Sequence, residues 1–276
     1  MTTALAQAHP NEVAKRISGR DYISFSAISL YQRCPLAYRF KYIDDLPEET
    51  VSASLVFGGG IHASVERHFN ELMAGNPAPD HDTLLDVFWD SWRDRNEDAT
   101  IKFSKNEGLN SIGQLADRVL KAFRESELAK PDGRILGVEE QLRGEIVPGV
   151  PDLFAKIDLL TETDDSIVVC DFKTSRSRWN VGQAESQSEQ LLLYSELARQ
   201  LVPEKAVRLE FAVISKTKQP IAERHDVPTD PLRVARTKQI VKRVWQAISS
   251  GEFYPAPSPI NCGSCPFHNP CQSWSG

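Results

Sequence analysis

DLFAKIDLL (Asp152–Leu160) and SIVVCDFKT (Ser166–Thr174) decide the fold. Both runs are short, β-branched or alternating, and bounded by turn formers such as Pro148, Gly149, Thr163 and Asp164, so both read as strands. ILGVEEQLRGEIV (Ile135–Val147) reads as a third strand ahead of them. Further on, the pattern predicts a helix from about Glu185 to Gln200, strands from Val207 to Ser215 and around Ile221 to Val227, and a long helix from about Pro231 to Ser249. Strands, then a helix, then strands again make an α/β core, a small mixed sheet set among helices.

The same runs carry the chemistry. Side chains alternate along a strand, so Asp171 and Lys173 of CDFKT share one face, and Asp158 closes FAKID at a matching strand end. A D-x-K triplet alone is more often an exposed, salt-bridged strand. Here the apolar VVC leads into the acid, which sets these charges at the end of a buried strand, where unpaired charge is costly. Magnesium and manganese are hard cations that take oxygen ligands. Asp158, Asp171 and the Phe172 carbonyl are therefore candidate ligands for either ion, with positions left for water and a phosphate. Lys173 would orient or help deprotonate the attacking water and balance charge developing on the phosphate. The implied reaction is phosphodiester hydrolysis. Asp152 competes with Asp158 as the first acid, but its Pro/Gly-rich setting predicts a loop.

Outward from the sheet, residues 1–20 are polar and lack a periodic apolar face, which predicts a disordered tail. A single domain is expected over 21–276, with a helical part at 21–130, a catalytic α/β core at 131–228, and a C-terminal helix and cysteine-bearing tail at 229–276. SAISLYQRCPLAYRFKY (Ser26–Tyr42) has a serine N-cap and helical apolar spacing, broken at Cys34 and Pro35. It predicts two short helices with a thiol at the joint. In FGGGIHASVERHFNELM (Phe57–Met73) three glycines precede a helix with Ile61, Val65, Phe69 and Leu72 on one side and His62 in its first turn. Asp82 to Lys130 is helical by pattern, anchored by Phe88, Trp89 and Trp92, with a loop around Asn106 to Asn110.

The length of 276 residues and a hydrophobic fraction of 41% suffice for one elaborated domain. A net charge of −6 argues against a general polyanion binder and leaves room for a local basic stripe. No apolar run is long enough to cross a bilayer and the start lacks a signal-peptide core, so a cytoplasmic protein without a membrane partner is expected. No GxxxxGK[ST] loop is present, which excludes an ATP-driven motor.

In a reducing compartment, five cysteines predict metal ligands or buried apolar side chains rather than disulfides. Cys262, Cys265 and Cys271 form CxxC-xxxxx-C, with Cys34 remote from them in sequence. Four thiolates suit either tetrahedral zinc or a 4Fe-4S iron-sulfur cluster. A zinc ribbon usually supplies two CxxC knuckles, so one knuckle with a remote partner favours the cluster, which would tie the N-terminal helix to the C-terminal tail. Cys170 precedes Asp171 in a buried strand and reads as a small apolar side chain.

Taken in order, SAISLYQRCPLAYRFKYIDDL, GGGIH, KID, VVCDFKT, EQLLLY and CGSCPFHNPC resemble RecB-like nucleases of the PD-(D/E)XK superfamily, in the branch bearing an iron-sulfur cluster. That branch includes the AddB nuclease domain and exonucleases associated with CRISPR adaptation. The resemblance implies a restriction-endonuclease-like core, metal-binding positions at His62, Asp158 and Asp171, the catalytic lysine at Lys173, a QxxxY pair at Gln190 and Tyr194, and cluster ligands at Cys34, Cys262, Cys265 and Cys271. It implies an exonuclease acting on single-stranded DNA or DNA ends in repair, recombination, phage or CRISPR-related processing, with a recombination or CRISPR-adaptation protein as candidate partner. An imidazole from His62 would favour manganese over magnesium. His68, His81, His225 and His268 lack such support and read as structural.

Gln190 and Tyr194 are four residues apart and share a helical face, although a core tyrosine beside a glutamine fits those residues as well. Glu139 or Glu140 is a further candidate acid, against the rule that acids on an edge strand are usually solvated. TSRSRW (Thr174–Trp179) follows the catalytic strand, so Arg176 and Arg178 would grip phosphates and Trp179 would stack on a base, which favours single-stranded DNA. The helix bearing Arg233, Arg236, Lys238, Lys242 and Arg243 reads as a solvated face. Two rival readings stay open: a non-cleaving DNA-binding partner with a nuclease-like fold, and a zinc-stabilised interaction module. Manganese-dependent cleavage lost in Lys173→Ala separates the first from an enzyme, and a brown, visible-absorbing preparation separates iron-sulfur from zinc.

Overall fold

The computed structural model describes residues 8–180 and 182–276. In chain order it begins with α1 (Pro10–Ser18), β1 (Ile23–Ser24), α2 (Phe25–Arg33), α3 (Pro35–Tyr42), β2 (Thr50–Ser52), α4 (Ala53–Met73) and α5 (His81–Asp98). There follow β3 (Thr100–Lys102), α6 (Leu109–Glu125), β4 (Arg134–Gly144), β5 (Leu153–Glu162), β6 (Ser166–Ser175), α7 (Gln183–Ser186) and α8 (Glu189–Leu201). The chain ends with β7 (Ala206–Ser215), β8 (Ala222–Val227), α9 (Pro231–Ser249), α10 (Pro259–Cys262) and α11 (His268–Gln272).

The single domain expected over 21–276 divides into two compact units, one drawn from residues up to Glu48, Leu142–Ala155 and Leu232–Gly276, the other from Glu49–Gln141 and Lys156–Pro231. Each holds an apolar cluster of its own. In the larger unit β5 and β6 run antiparallel from Leu159 opposite Cys170 to Glu162 opposite Ile167. β6 and β7 run parallel from Ser166 opposite Ala206 to Ser175 opposite Ser215. β8 is antiparallel to β7, and β4 pairs with β5. Cys170, Phe172, Ala212 and Ile214 on one face of the sheet join a core with Phe57, Phe69, Phe88 and Phe123 from α4, α5 and α6. Contacts from α8 cover β6 and β7. The result is an α/β fold with a mixed sheet flanked by helices.

The three glycines do not precede a helix. Capped by Ser52, α4 runs straight through Gly58, Gly59 and Gly60, which puts His62 in its middle rather than its first turn. A Cβ on Gly60 would fall 2.6 Å from the Phe88 ring, so a glycine there lets α4 press against α5. That close approach offsets the helix-propensity penalty of about 1 kcal/mol.

In the smaller unit, residues 10–18 form α1 where a disordered tail is expected; residues 1–7 of that tail lie outside the described residues. The helix closes on Gly19 at φ 71°, and it is moored through Asn11, which exchanges hydrogen bonds of 2.9 and 2.8 Å with the Asp152 carboxylate and backbone. A tertiary anchor of this kind leaves no periodicity for a reader of sequence to find. Asp152 also accepts from Arg143 at 3.0 Å, so this acid is fully engaged. Cys34 stands in extended conformation, φ −162°, at the joint between α2 and α3.

Candidate active site

The β5–β6 ladder stops at Leu159 and Cys170, and the next residues out on each strand are Asp158 and Asp171. Beyond the last pair, the Phe172 N–H donates to Asp158 Oδ2 at 2.7 Å instead of to a strand carbonyl. From α4, His62 Nδ1 lies 3.5 Å from the same carboxylate. From β4 comes Glu139, a non-glycine residue at φ 54°, a sparsely populated conformation that breaks strand alternation. Its side chain is 15% exposed and pairs with Lys156. His62, Glu139 and Asp158 each offer a ligand atom, all within 4.8 Å of one another.

Asp171 is 4% exposed. Lys173 Nζ lies 2.6 Å from Asp171 Oδ2 but off the line of a hydrogen bond, so this buried oxygen accepts none. The same ammonium is 3.5 Å from Gln190 Oε1, and Gln190 Nε2 donates to Tyr194 Oη at 3.2 Å. Gln190 and Tyr194 thus extend from α8 toward the D-x-K strand as a two-membered relay.

Burial raises the Asp158 carboxyl well above its usual range, and Asp171 pushes it the same way, against the pull of the Phe172 N–H and Lys173. Burial also lowers the His62 imidazole pKa, which the negative field of Asp171 opposes and Lys173 reinforces. Tyr194 is pushed up to about 12, chiefly by burial. Crowded carboxylates, an imidazole whose pKa is lowered, and a buried carboxylate oxygen that is ion-paired but accepts no hydrogen bond form a donor set that suits a divalent cation. The residues present fit the ion.

Compared with known protein families, residues 22–272 match the PD-(D/E)XK nuclease superfamily. The chain belongs to that superfamily. The PD-(D/E)XK fold is matched by a crystal structure described as a "Putative exonuclease" from Eubacterium rectale, at TM-score 0.58 and 15% identity, over 99% of this chain and 93% of that one. A second structure, of SSO0001, aligns with 88% of this chain and 92% of its own at 14% identity, with a TM-score of 0.34. No curated protein matches. Superfamily membership carries divalent-metal chemistry with it, and no helix among the described residues of this PD-(D/E)XK chain is long and apolar enough to cross a membrane.

Outside the carboxylate site, two residues expected at DNA are otherwise engaged. Trp179 is 7% exposed, its ring centroid 5.2 Å from that of Phe211 and 5.6 Å from that of His225. Burial of the indole against the sheet removes it as a platform for a base. Arg178 is paired with Glu223, whereas Arg176 is exposed and forms no ion pair among the described residues. His68 is a core residue, its Nε2 2.8 Å from the Ala129 carbonyl.

All four terminal cysteines fall in the smaller unit as free thiols. Cys34, Cys265 and Cys271 pack on a patch of Leu36, Ala37, Phe40 and Phe267. Burial raises the thiol pKa of Cys265 and Cys271, and the neighbouring thiols, Cys34 included, add to it. Among the described residues no three of these sulfurs lie within 4.8 Å of one another. Tetrahedral zinc, with Zn–S of about 2.3 Å, would place its sulfurs about 3.8 Å apart. The cysteines therefore share a neighbourhood without forming a closed ligand set.

The residue that sequence reading undervalued is Glu139. Its signal was the acidic pair Glu139–Glu140 on a strand; the positive φ that turns Glu139 inward has no counterpart in alternation.

Proposed function

We propose that this chain is a RecB-like, divalent-metal-dependent deoxyribonuclease, an exonuclease acting on single-stranded DNA or DNA ends. The observation that carries the reading is the convergence of His62, Glu139 and Asp158 near the buried ion pair of Asp171 and Lys173. Manganese or magnesium, held by His62, Asp158, Asp171, the Phe172 carbonyl and Glu139, would polarise the scissile phosphate and lower the pKa of a bound water. Lys173 orients the attacking water and offsets charge gathering on the phosphate. Gln190 positions that ammonium, and Tyr194 positions Gln190. Asp158 holds His62 and the Phe172 backbone in place.

The terminal cysteines serve, in this reading, as ligands of a 4Fe-4S cluster that closes the smaller unit. Support comes from the apolar patch shared by Cys34, Cys265 and Cys271 and from the free thiols, which also fit a cytoplasmic setting. The absence of a tight sulfur group disfavours zinc. A recombination or CRISPR-adaptation protein is the partner this chemistry would serve.

The test is strand-labelled digestion of single-stranded and duplex oligonucleotides, with manganese and magnesium in parallel, by wild type and Asp171→Ala. The expected outcome is metal-dependent shortening from an end that Asp171→Ala abolishes. Wild type that degrades no substrate with either ion would return the chain to the non-cleaving DNA-binder class.

A further inference from the structure

The larger unit holds a pocket of about 270 Å³ whose lining includes Ser54, Phe57, Ser104, Glu107, Arg176 and Lys216. Two of these side chains are cations. Lys216 donates to Ser54 Oγ at 2.8 Å, its ammonium stands 5.5 Å from the centre of the Phe57 ring, and its backbone N–H is tied to the Ser175 carbonyl at 2.6 Å. Arg176 follows directly on the end of β6. Neither cation forms an ion pair among the described residues. Burial, and next the nearby Arg176, hold the Lys216 pKa below its ordinary value, while Glu107 opposes this. The Glu107 carboxylate is turned to the Ser104 N–H at 2.9 Å. Two positive charges against one negative leave the pocket net positive, and the half-buried ammonium of Lys216 calls for a counter-charge.

The pocket is also aligned with the chemistry. Ser54, Gly58 and His62 follow one another at four-residue spacing and so form a single stripe along α4. At 1.5 Å per residue, Ser54 is about 12 Å from His62 along the helix axis. Between them Gly58 presents no side chain; a Cβ there would only touch Thr174 Oγ1 at 3.6 Å. Arg176 lies three residues beyond Lys173, just past the end of β6.

Resting on the nuclease reading, we propose that the Ser54–Arg176–Lys216 pocket binds a phosphate of the DNA strand whose scissile bond lies at the carboxylate site. The ligand is a phosphate mono- or diester, drawn either from the strand's terminal phosphate or from its backbone. Lys216 and Arg176 neutralise it, and the Ser54 hydroxyl donates to it at the first turn of α4.

The experiment measures fluorescence-anisotropy binding of single-stranded oligonucleotides with 5′-phosphate, 3′-phosphate or hydroxyl ends, in chelator, across a salt series. Wild type is compared with Lys216→Gln, Arg176→Gln and Glu107→Gln, with Lys218→Gln, on an exposed residue outside the pocket, as control. Lys216→Gln and Arg176→Gln are each expected to weaken binding about tenfold and to reduce the salt slope by about 0.7, the signature of one lost phosphate contact. Glu107→Gln should tighten binding, and Lys218→Gln should change nothing. If the phosphate is terminal, removing it from one end reproduces the Lys216→Gln loss; if it belongs to the backbone, hydroxyl-ended strands lose as much as the others. Unchanged affinity and salt slope in both cation variants on every oligonucleotide would overturn the proposal. Cleavage that persists alongside that result would leave the nuclease standing, and Lys216-dependent binding by a wild type that cuts nothing would leave the pocket standing without the nuclease.

Discussion

The carboxylate site of the larger unit and the cysteine segment of the smaller one are both candidate metal centres, yet they are held in different ways. Asp158, Asp171, Lys173 and Glu139 stand on strands whose far sides are locked into an aromatic core; the Phe172 N–H donates to Asp158, and Lys173 donates to Gln190 Oε1. Cys262 and Cys271 stand on helices of four and five residues, with a small apolar patch as support. Helices that short have no stability of their own. The first arrangement stands in place without an ion; the second, on the cluster reading proposed above, would need its cofactor to be held together.

The strongest way to break this contrast is to neutralise the charged pair of the first site. Asp171→Asn and Lys173→Ala should each lower the rate of cleavage by about 10³-fold or more while the melting temperature holds. A matching collapse of the melting curve would show that these residues support the fold instead. Gln190→Leu should cost about 10- to 100-fold in rate, because it frees the ammonium that Gln190 restrains, and Tyr194→Phe should cost less. Metal removal sharpens the same contrast. Chelation of manganese should leave the larger unit folded, whereas Cys265→Ser, in protein prepared with iron under anaerobic conditions, should bleach the visible absorption and lower melting by about 5 °C. An unchanged spectrum would end the cluster reading.

The smallest effect concerns pH. His68 is 3% exposed and burial lowers its pKa from the ordinary 6.5, so the folded protein binds fewer protons there than the unfolded chain. Its contribution to stability is therefore complete above 6.5 and declines as the pH falls below it. Replacing it by leucine should flatten that decline, narrowing the gap in melting between pH 7.5 and 5 by about 2 °C. A parallel pH profile in the variant would place the proton uptake elsewhere.

How far the sequence carried depends on how local the signal is. VVCDFKT, KID and the helix Pro231–Ser249 were legible because apolar period and charge placement sit within a few residues of each other. Asp158 was preferred over Asp152 on the same ground, and the structure has Asp152 occupied by Asn11 and Arg143. What escaped is set at a distance. The run through Gly58–Gly60 depends on Phe88 in the next helix, the order of α1 on Asp152 far down the chain, and the inward turn of Glu139 on a backbone twist. Trp179 looked like a reader of bases because basic residues surround it in sequence, while its ring answers to Phe211, which belongs to another strand.

The Asp158 carboxylate takes the Phe172 N–H that a neighbouring strand would otherwise claim. Chemistry and architecture are thus wired in series through a single side chain: an alanine at 158 would disarm the enzyme and unpick a stitch of the sheet together, so its inactivity would say little about catalysis. Asp171, whose buried Oδ2 accepts no hydrogen bond, lies on a parallel branch and is the switch that can be thrown alone.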